Sequence, residues 1–165
     1  MRYNEIDKCE AINGKGFGVS LFTQGCPFRC KNCFNKETWD FSKGKEYTKE
    51  TEDKIIRLLE PIYITRLTIL GGEPLIERNI APLTSLFMKV KEIYPEKKIW
   101  LYTGSNFETE KEKYIDLIKY VDIIIDGRYI DKLRNITLKF RGSSNQRVID
   151  VQKSLRENKV ILWCD

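Results

Sequence analysis

Cys26, Cys30 and Cys33 fall within one short run, Gly25-Cys26-Pro27-Phe28-Arg29-Cys30-Lys31-Asn32-Cys33-Phe34. The spacing C-x3-C-x2-C lets three thiolates on a tight loop face a common centre, and Pro27 keeps the first turn from being helix interior. Three thiolates can hold three irons of a four-iron cluster and leave the fourth open for a substrate or cofactor. A fourth cysteine ligand would make an electron-transfer or structural site. The 165-residue chain has no histidine, so a zinc site would need a distant fourth ligand such as Cys9, Cys164 or a carboxylate. Five cysteines is an odd number, and a cluster of three in a reducing compartment points to metal rather than to disulfides. Cys9 and Cys164 stand alone and read as buried small hydrophobes or terminal bystanders.

Gly71-Gly72-Glu73-Pro74 is the second chemical signal. Paired glycines let a ligand come close to the backbone. Their amides and carbonyls suit an amino group or a carboxylate, and Glu73 adds negative charge near a cationic ligand. The same four residues also suit a plain strand-to-helix turn.

These segments need elements to position them. Residues 17–22 read as a strand. Residues 48–60 read as a helix with Ile55, Leu58, Leu59 and Ile62 on one face, Pro61 at its end, and Glu50, Glu52 and Asp53 near its positive pole. Further strands are expected at 65–70, 98–102 and 121–125, with helices at 78–93 and 107–120; 146–151 and 159–163 read as late strands around a short helix. Such alternation implies an α/β fold of mostly parallel strands joined by right-handed crossovers. A closed eight-strand barrel takes about 250 residues, so an open partial (β/α) barrel in a single domain, 1–165, is expected. The cysteine loop, Gly71-Gly72-Glu73-Pro74, Thr103-Gly104 and Asp126-Gly127 each follow a strand. All four therefore belong on the rim formed by the carboxyl ends of the strands, where parallel α/β folds carry their sites.

With 41% hydrophobic and 32% charged residues, the composition suits a globular chain rather than a disordered one. No apolar run is long enough to span a bilayer, and Met1–Glu10 lacks the apolar stretch of a signal peptide. A cytoplasmic protein with no membrane association is expected. The net charge of +5 comes from 29 basic and 24 acidic residues, interspersed as on an ordinary solvated surface. No aromatic-plus-basic array marks a nucleic-acid module, and an acidic protein partner is compatible with the charge.

The pairing of C-x3-C-x2-C with Gly-Gly-Glu-Pro resembles the radical S-adenosylmethionine superfamily. That resemblance implies a [4Fe–4S] cluster on Cys26, Cys30 and Cys33. It also implies S-adenosylmethionine chelating the open iron, and one-electron cleavage to a 5′-deoxyadenosyl radical, so that the cofactors supply the reactivity. Three further segments, Cys33–Trp39, Asp126–Tyr129 and Phe140–Arg147, are similar to the family of activating proteins of anaerobic ribonucleoside-triphosphate reductase, over about residues 10–151.

The family implies a glycyl radical made on the reductase large subunit, with a flavodoxin- or ferredoxin-like electron donor. It also implies that Asn32, Cys33 and Phe34 contact S-adenosylmethionine through the backbone, and that Gly71, Gly72 and Glu73 hold its methionine amino end. Thr103 would reach the ribose or carboxylate, and Asp126 would lie beside the cofactor near the substrate peptide. One departure is the position before the third cysteine, where many superfamily members carry an aromatic residue; here it is Asn32, with Phe34 just after the cysteine. Arg141 and Arg147 read either as a basic surface loop or as grips for a carboxylate or a partner's backbone. Other readings keep part of the pattern. The chain would activate another glycyl-radical enzyme, or act on a small molecule as a carboxy-deazaguanine synthase does. A third reading is a non-catalytic binding module stabilised by zinc or a cluster.

Overall fold

Short buried runs at Val19–Leu21, Leu67–Leu70, Ile99–Leu101 and Ile123–Ile125, apolar except for Ser20 and Thr68, form the middle of one sheet in the computed structural model, which describes residues 1–164. The elements in chain order are β1 (Arg2–Glu10), β2 (Phe17–Thr23), β3 (Lys45–Glu46), α1 (Lys49–Leu59), β4 (Ile64–Gly71), α2 (Glu77–Ile93) and β5 (Lys98–Tyr102). There follow α3 (Phe107–Lys113), α4 (Ile115–Ile118), β6 (Ile123–Asp126), β7 (Arg147–Asp150), α5 (Val151–Glu157) and β8 (Leu162–Cys164). The fold is mixed α/β, with the eight strands in the order β3-β1-β2-β4-β5-β6-β7-β8.

Parallel pairing is confined to β2, β4, β5 and β6. The flanking pairs are antiparallel, which corrects the expectation of mostly parallel strands. Chain geometry gives the reason. The connection from β1 to β2 is too short for a parallel crossover. The long excursion after β6 returns to its starting end, setting Asp126 opposite Arg147. β1 was not expected at all, because it carries alternating charges and packs only Tyr3 and Ile6 against the core.

One face of the sheet, including Leu67, Ile69, Ile99, Leu101 and Ile124, packs on Ile55 and Leu59 of α1 and on Leu83, Leu86, Phe87 and Val90 of α2. Thr48 caps α1 reciprocally with Thr51. Pro61 does end that helix region, but Ile62 lies beyond it and is exposed. The helix expected at 107–120 is broken at Tyr114, whose backbone leaves helical geometry.

The opposite face divides in two. Trp100, Ile123, Ile125 and Val148 pack with Tyr102, Phe140 and Trp163. On β2 and β4 the same face is polar. Arg66, fully buried, donates to Glu10 at 2.6 Å and to Thr68 at 2.6 Å, and Ser20 donates to Glu10 at 2.6 Å. Gly18 makes room for this guanidinium, which would overlap any Cβ there. Among the described residues, no helix is long and apolar enough to cross a membrane.

Candidate functional site

The carboxyl ends of the four parallel strands are stitched together by backbone hydrogen bonds. Gly72 N–H donates to Thr23 C=O (2.8 Å), Glu73 N–H to Gly25 C=O (2.9 Å), Thr103 N–H to Ile125 C=O (2.9 Å) and Gly127 N–H to Ser105 C=O (3.0 Å). The four segments singled out in the sequence thus meet on one rim. The glycines serve this closure directly. Gly71 has φ +100° and lies against the backbone of Phe22 and Thr23, and a Cβ on Gly72 would overlap the Gly25 carbonyl.

From this rim the chain enters the cysteine loop. Gly25 N–H donates to Thr38 C=O (2.7 Å) and Cys26 N–H to Trp39 C=O (3.2 Å), which docks the loop on a single helical turn at Lys36–Thr38. Arg29 (φ 46°) and Asn32 (φ 57°) take left-handed conformations that wind the loop tightly. The second is a position asparagine tolerates well, which gives a local reason for Asn32 before the third cysteine.

Cys26, Cys30 and Cys33 are all half-buried free thiols. Burial pushes the Cys26 thiol up, while the N–H groups of Phe28 and Arg29 pull the other way. Among the described residues, no three His, Cys, Asp or Glu side chains close on a single ion. Cys9 is exposed rather than buried, and lies beside the Glu10–Gly18 pairing at the far end of β2. A seven-residue strand separates it from the loop, about 20 Å, so Cys9 is out of reach as a fourth ligand. The side chain of Cys164 lies outside the described residues.

Glu73 turns inward. Its carboxylate accepts from Leu75 N–H (2.9 Å), the Thr103 hydroxyl (2.7 Å) and Gly104 N–H (2.8 Å). Burial nevertheless pushes it up to about 7. Glu73 and Thr103, expected to hold a ligand separately, hold each other and weld the tip of β4 to the tip of β5.

Residues 12–149 match the family described as a 4Fe-4S single cluster domain. Over 148 residues the chain is 41% identical to the anaerobic ribonucleoside-triphosphate reductase-activating protein of Enterobacteria phage T4, covering 90% of this chain and 93% of that protein. It is 37% identical to the activating protein of Vibrio cholerae (88% and 96% covered) and 32% identical to that of Escherichia coli K12 (90% and 97%). The chain belongs to the anaerobic ribonucleoside-triphosphate reductase-activating protein family.

Further features of this family member came from the structure alone. The segment after β6 folds over the cysteine loop. Asn32 Nδ2 donates to Asp131 (2.9 Å), and Arg128 donates to the Phe28 carbonyl (2.8 Å) while lying over its ring (5.0 Å). Phe34 meets Tyr129 edge-on, with ring centres 6.5 Å apart. Phe28 in turn covers Gly104, where a Cβ would come within 2.5 Å of the ring.

The segment Phe140–Arg147, the tail motif, supports this arch from behind. Gln146 Oε1 accepts from Gly142 N–H (3.0 Å) and Ser143 N–H (3.2 Å), and its Nε2 donates to Gly127 C=O (3.1 Å). Asn145 Nδ2 donates to Arg128 C=O (2.8 Å), and Ser143 Oγ accepts from Ile130 N–H (3.2 Å). The density of Ser, Asn and Gln, side chains that bond to backbone, was the available sequence signal.

Asp126 is buried and closed off. It accepts from Phe107 N–H (2.9 Å) and pairs with Arg147, which also grips Glu108 (2.9 and 2.7 Å). The carboxylates that Arg147 was expected to grip belong to its own chain. Arg141 Nε is buried without a partner among the described residues. A cavity of about 560 Å³ lies at the amino ends of the strands, lined in part by Lys98, Trp100, Ile123 and Trp163. Its lining shares no residue with the rim.

Proposed function

We propose that this chain is a glycyl-radical activase for the large subunit of anaerobic ribonucleoside-triphosphate reductase, working in a reducing cytoplasm with a flavodoxin- or ferredoxin-like electron donor. The proposal takes residues 1–165 as a single radical S-adenosylmethionine domain, an open partial barrel whose working edge is the rim of β2, β4, β5 and β6. The donor set fits the cofactors: three free thiols on one wound loop suit three irons of a four-iron cluster, and glycine backbone at the adjoining strand tip admits a close ligand. When bound, the reduced cluster would supply the electron and S-adenosylmethionine the adenosyl group for hydrogen-atom abstraction from a glycine of the reductase, with methionine and 5′-deoxyadenosine as the products.

This chain's residues do the positioning. Cys26, Cys30 and Cys33 would hold the cluster. The backbone of Asn32, Cys33 and Phe34 would flank it, and the backbone of Gly71 and Gly72 would receive the methionine end of the cofactor. Glu73 and Thr103 fix the shape of that edge through their mutual hydrogen bond. Asp126 holds β6, β7 and the start of α3 in place through Arg147 and Phe107 N–H. The single observation that carries the reading is the bond from Glu73 N–H to Gly25 C=O, which brings the glycine rim to the residue next to Cys26.

The test is anaerobic reconstitution with iron and sulfide, reduction, and addition of S-adenosylmethionine and the reductase. Electron paramagnetic resonance should then show a glycyl radical, and Cys30→Ala should abolish both cluster and cleavage. A protein that takes up zinc alone and releases no 5′-deoxyadenosine would sink the proposal.

A further inference from the structure

The chain's positive charge is not spread evenly. Residues 27–36 hold three basic and no acidic residues; residues 128–141 hold five basic and one acidic, Asp131. Removing these from the chain's 29 basic and 24 acidic residues leaves 21 and 23. The whole net charge of +5 therefore comes from two segments, and the remainder is slightly acidic. The structure brings those segments together through Asn32–Asp131, Arg128–Phe28 and Phe34–Tyr129. The interspersed surface expected from the sequence is instead a basic face around the cysteine loop.

The same face exposes large apolar side chains. Phe34 is 74% exposed, Ile136 85%, Ile130 42% and Leu133 41%. Exposing such groups to solvent has no internal benefit here, since the arch is held by polar bonds from Gln146, Asn145 and Ser143. Apolar anchors ringed by basic groups, beside a site, are the composition of a protein-docking surface.

Resting on the activase reading, the geometry points to the arch at residues 128–141, with Phe34, as the docking surface for an acidic-rimmed apolar segment of the reductase large subunit. Charge complementarity selects an acidic partner and speeds encounter. The exposed Ile136, Leu133 and Phe34 supply the anchors that hold it. Contact with the cysteine loop, through Asn32 and Phe28, puts the docked segment against the edge where the radical is made. The tail motif then has a purpose at one remove, because it fixes the arch's shape.

The test uses the reconstituted holoprotein carrying Lys132→Glu and Ile136→Glu, both exposed positions outside the cofactor site. Dithionite-driven cleavage of S-adenosylmethionine without reductase checks the fold and should match wild type. Affinity for the reductase large subunit should fall at least tenfold, with the glycyl-radical signal falling in parallel. Wild-type affinity should weaken as salt rises, and the variant's should depend less on salt. Lys15→Glu, at the far end of the sheet, should behave as wild type.

A variant that binds and activates the reductase normally overturns the inference. So does a defect seen only when a protein donor replaces dithionite, which would assign the face to the electron donor. Failure of the activase reading is separate, because wild type itself would then give no glycyl radical.

Discussion

The Thr103 hydroxyl donates to the Glu73 carboxylate across 2.7 Å, tying the tip of β5 to the tip of β4 in a site closed to water. Thr103→Val keeps the shape and removes the donor, leaving a buried carboxylate oxygen short of a partner. A cost of about 1–3 kcal/mol is expected in the urea midpoint, with weaker binding of S-adenosylmethionine. Thr103→Ser should restore both, since it returns the hydroxyl; a serine variant as impaired as valine would show that the methyl packing matters instead.

Gly72→Ala probes the rim differently. The added methyl would overlap the Gly25 carbonyl, and backbone cannot yield as a flexible side chain does. We expect a loss of about 1–3 kcal/mol, together with at least a tenfold drop in cofactor cleavage, because the strain is delivered to the residue beside Cys26. Circular dichroism should show the sheet intact while cleavage falls.

Gln146→Ala should loosen the arch without touching the core. The side chain closes hydrogen bonds to Gly142, Ser143 and Gly127. Hydrogen exchange should rise across residues 127–146 and stay unchanged in β2, β4 and β5. Faster exchange throughout the sheet would mean that the tail motif supports the whole fold.

Glu10 and Arg66 give a prediction about pH. Burial alone would raise the Glu10 carboxyl, but Arg66, Ser20 and the N–H groups of Asn13 and Ile12 outweigh it and hold it below its ordinary value of 4.5. Its stabilising contribution is thus full above pH 4.5 and lost as pH falls through the depressed folded-state value. Glu10→Gln strands a buried guanidinium, at a cost of about 3 kcal/mol near neutrality. The gap between wild type and variant in urea midpoint should narrow as the pH is lowered below 4.5. A gap that widens on acidification would contradict the assignment.

The central strands and helices were legible because each repeats its apolar residues at its own period: Ile99 and Leu101 on one face of β5, Leu83, Phe87 and Val90 along α2. β1 was illegible for the converse reason. Two packed side chains in nine residues make no pattern, and the strand exists through its ladder to β2. The arch was illegible because side-chain bonds to backbone hold it, such as Asn145 to Arg128, and these carry no periodicity.

At the site, residue types and spacing singled out the cysteine loop and the glycine rim, and the structure brings the two together through the bond from Glu73 N–H to Gly25 C=O. The inward turn of Glu73 and the capture of Asp126 could not be read. Their partners, Gly104 and Arg147, stand 31 and 21 positions away along the chain.

Those separations also impose an order of events at the ribosome. Cys26–Cys33 emerge well before Arg128 and Asp131, which brace them across 100 and 99 positions. At ordinary elongation speeds the thiols wait roughly 5–20 s for their supports. During that interval the loop has only its nearer bonds, to Thr38, Trp39 and Glu73, so under the proposed function a cluster would settle fully only on the finished chain. A message cut short ahead of Arg128 would yield a product with all three cysteines and without the two bonds that reach their loop from the segment after β6.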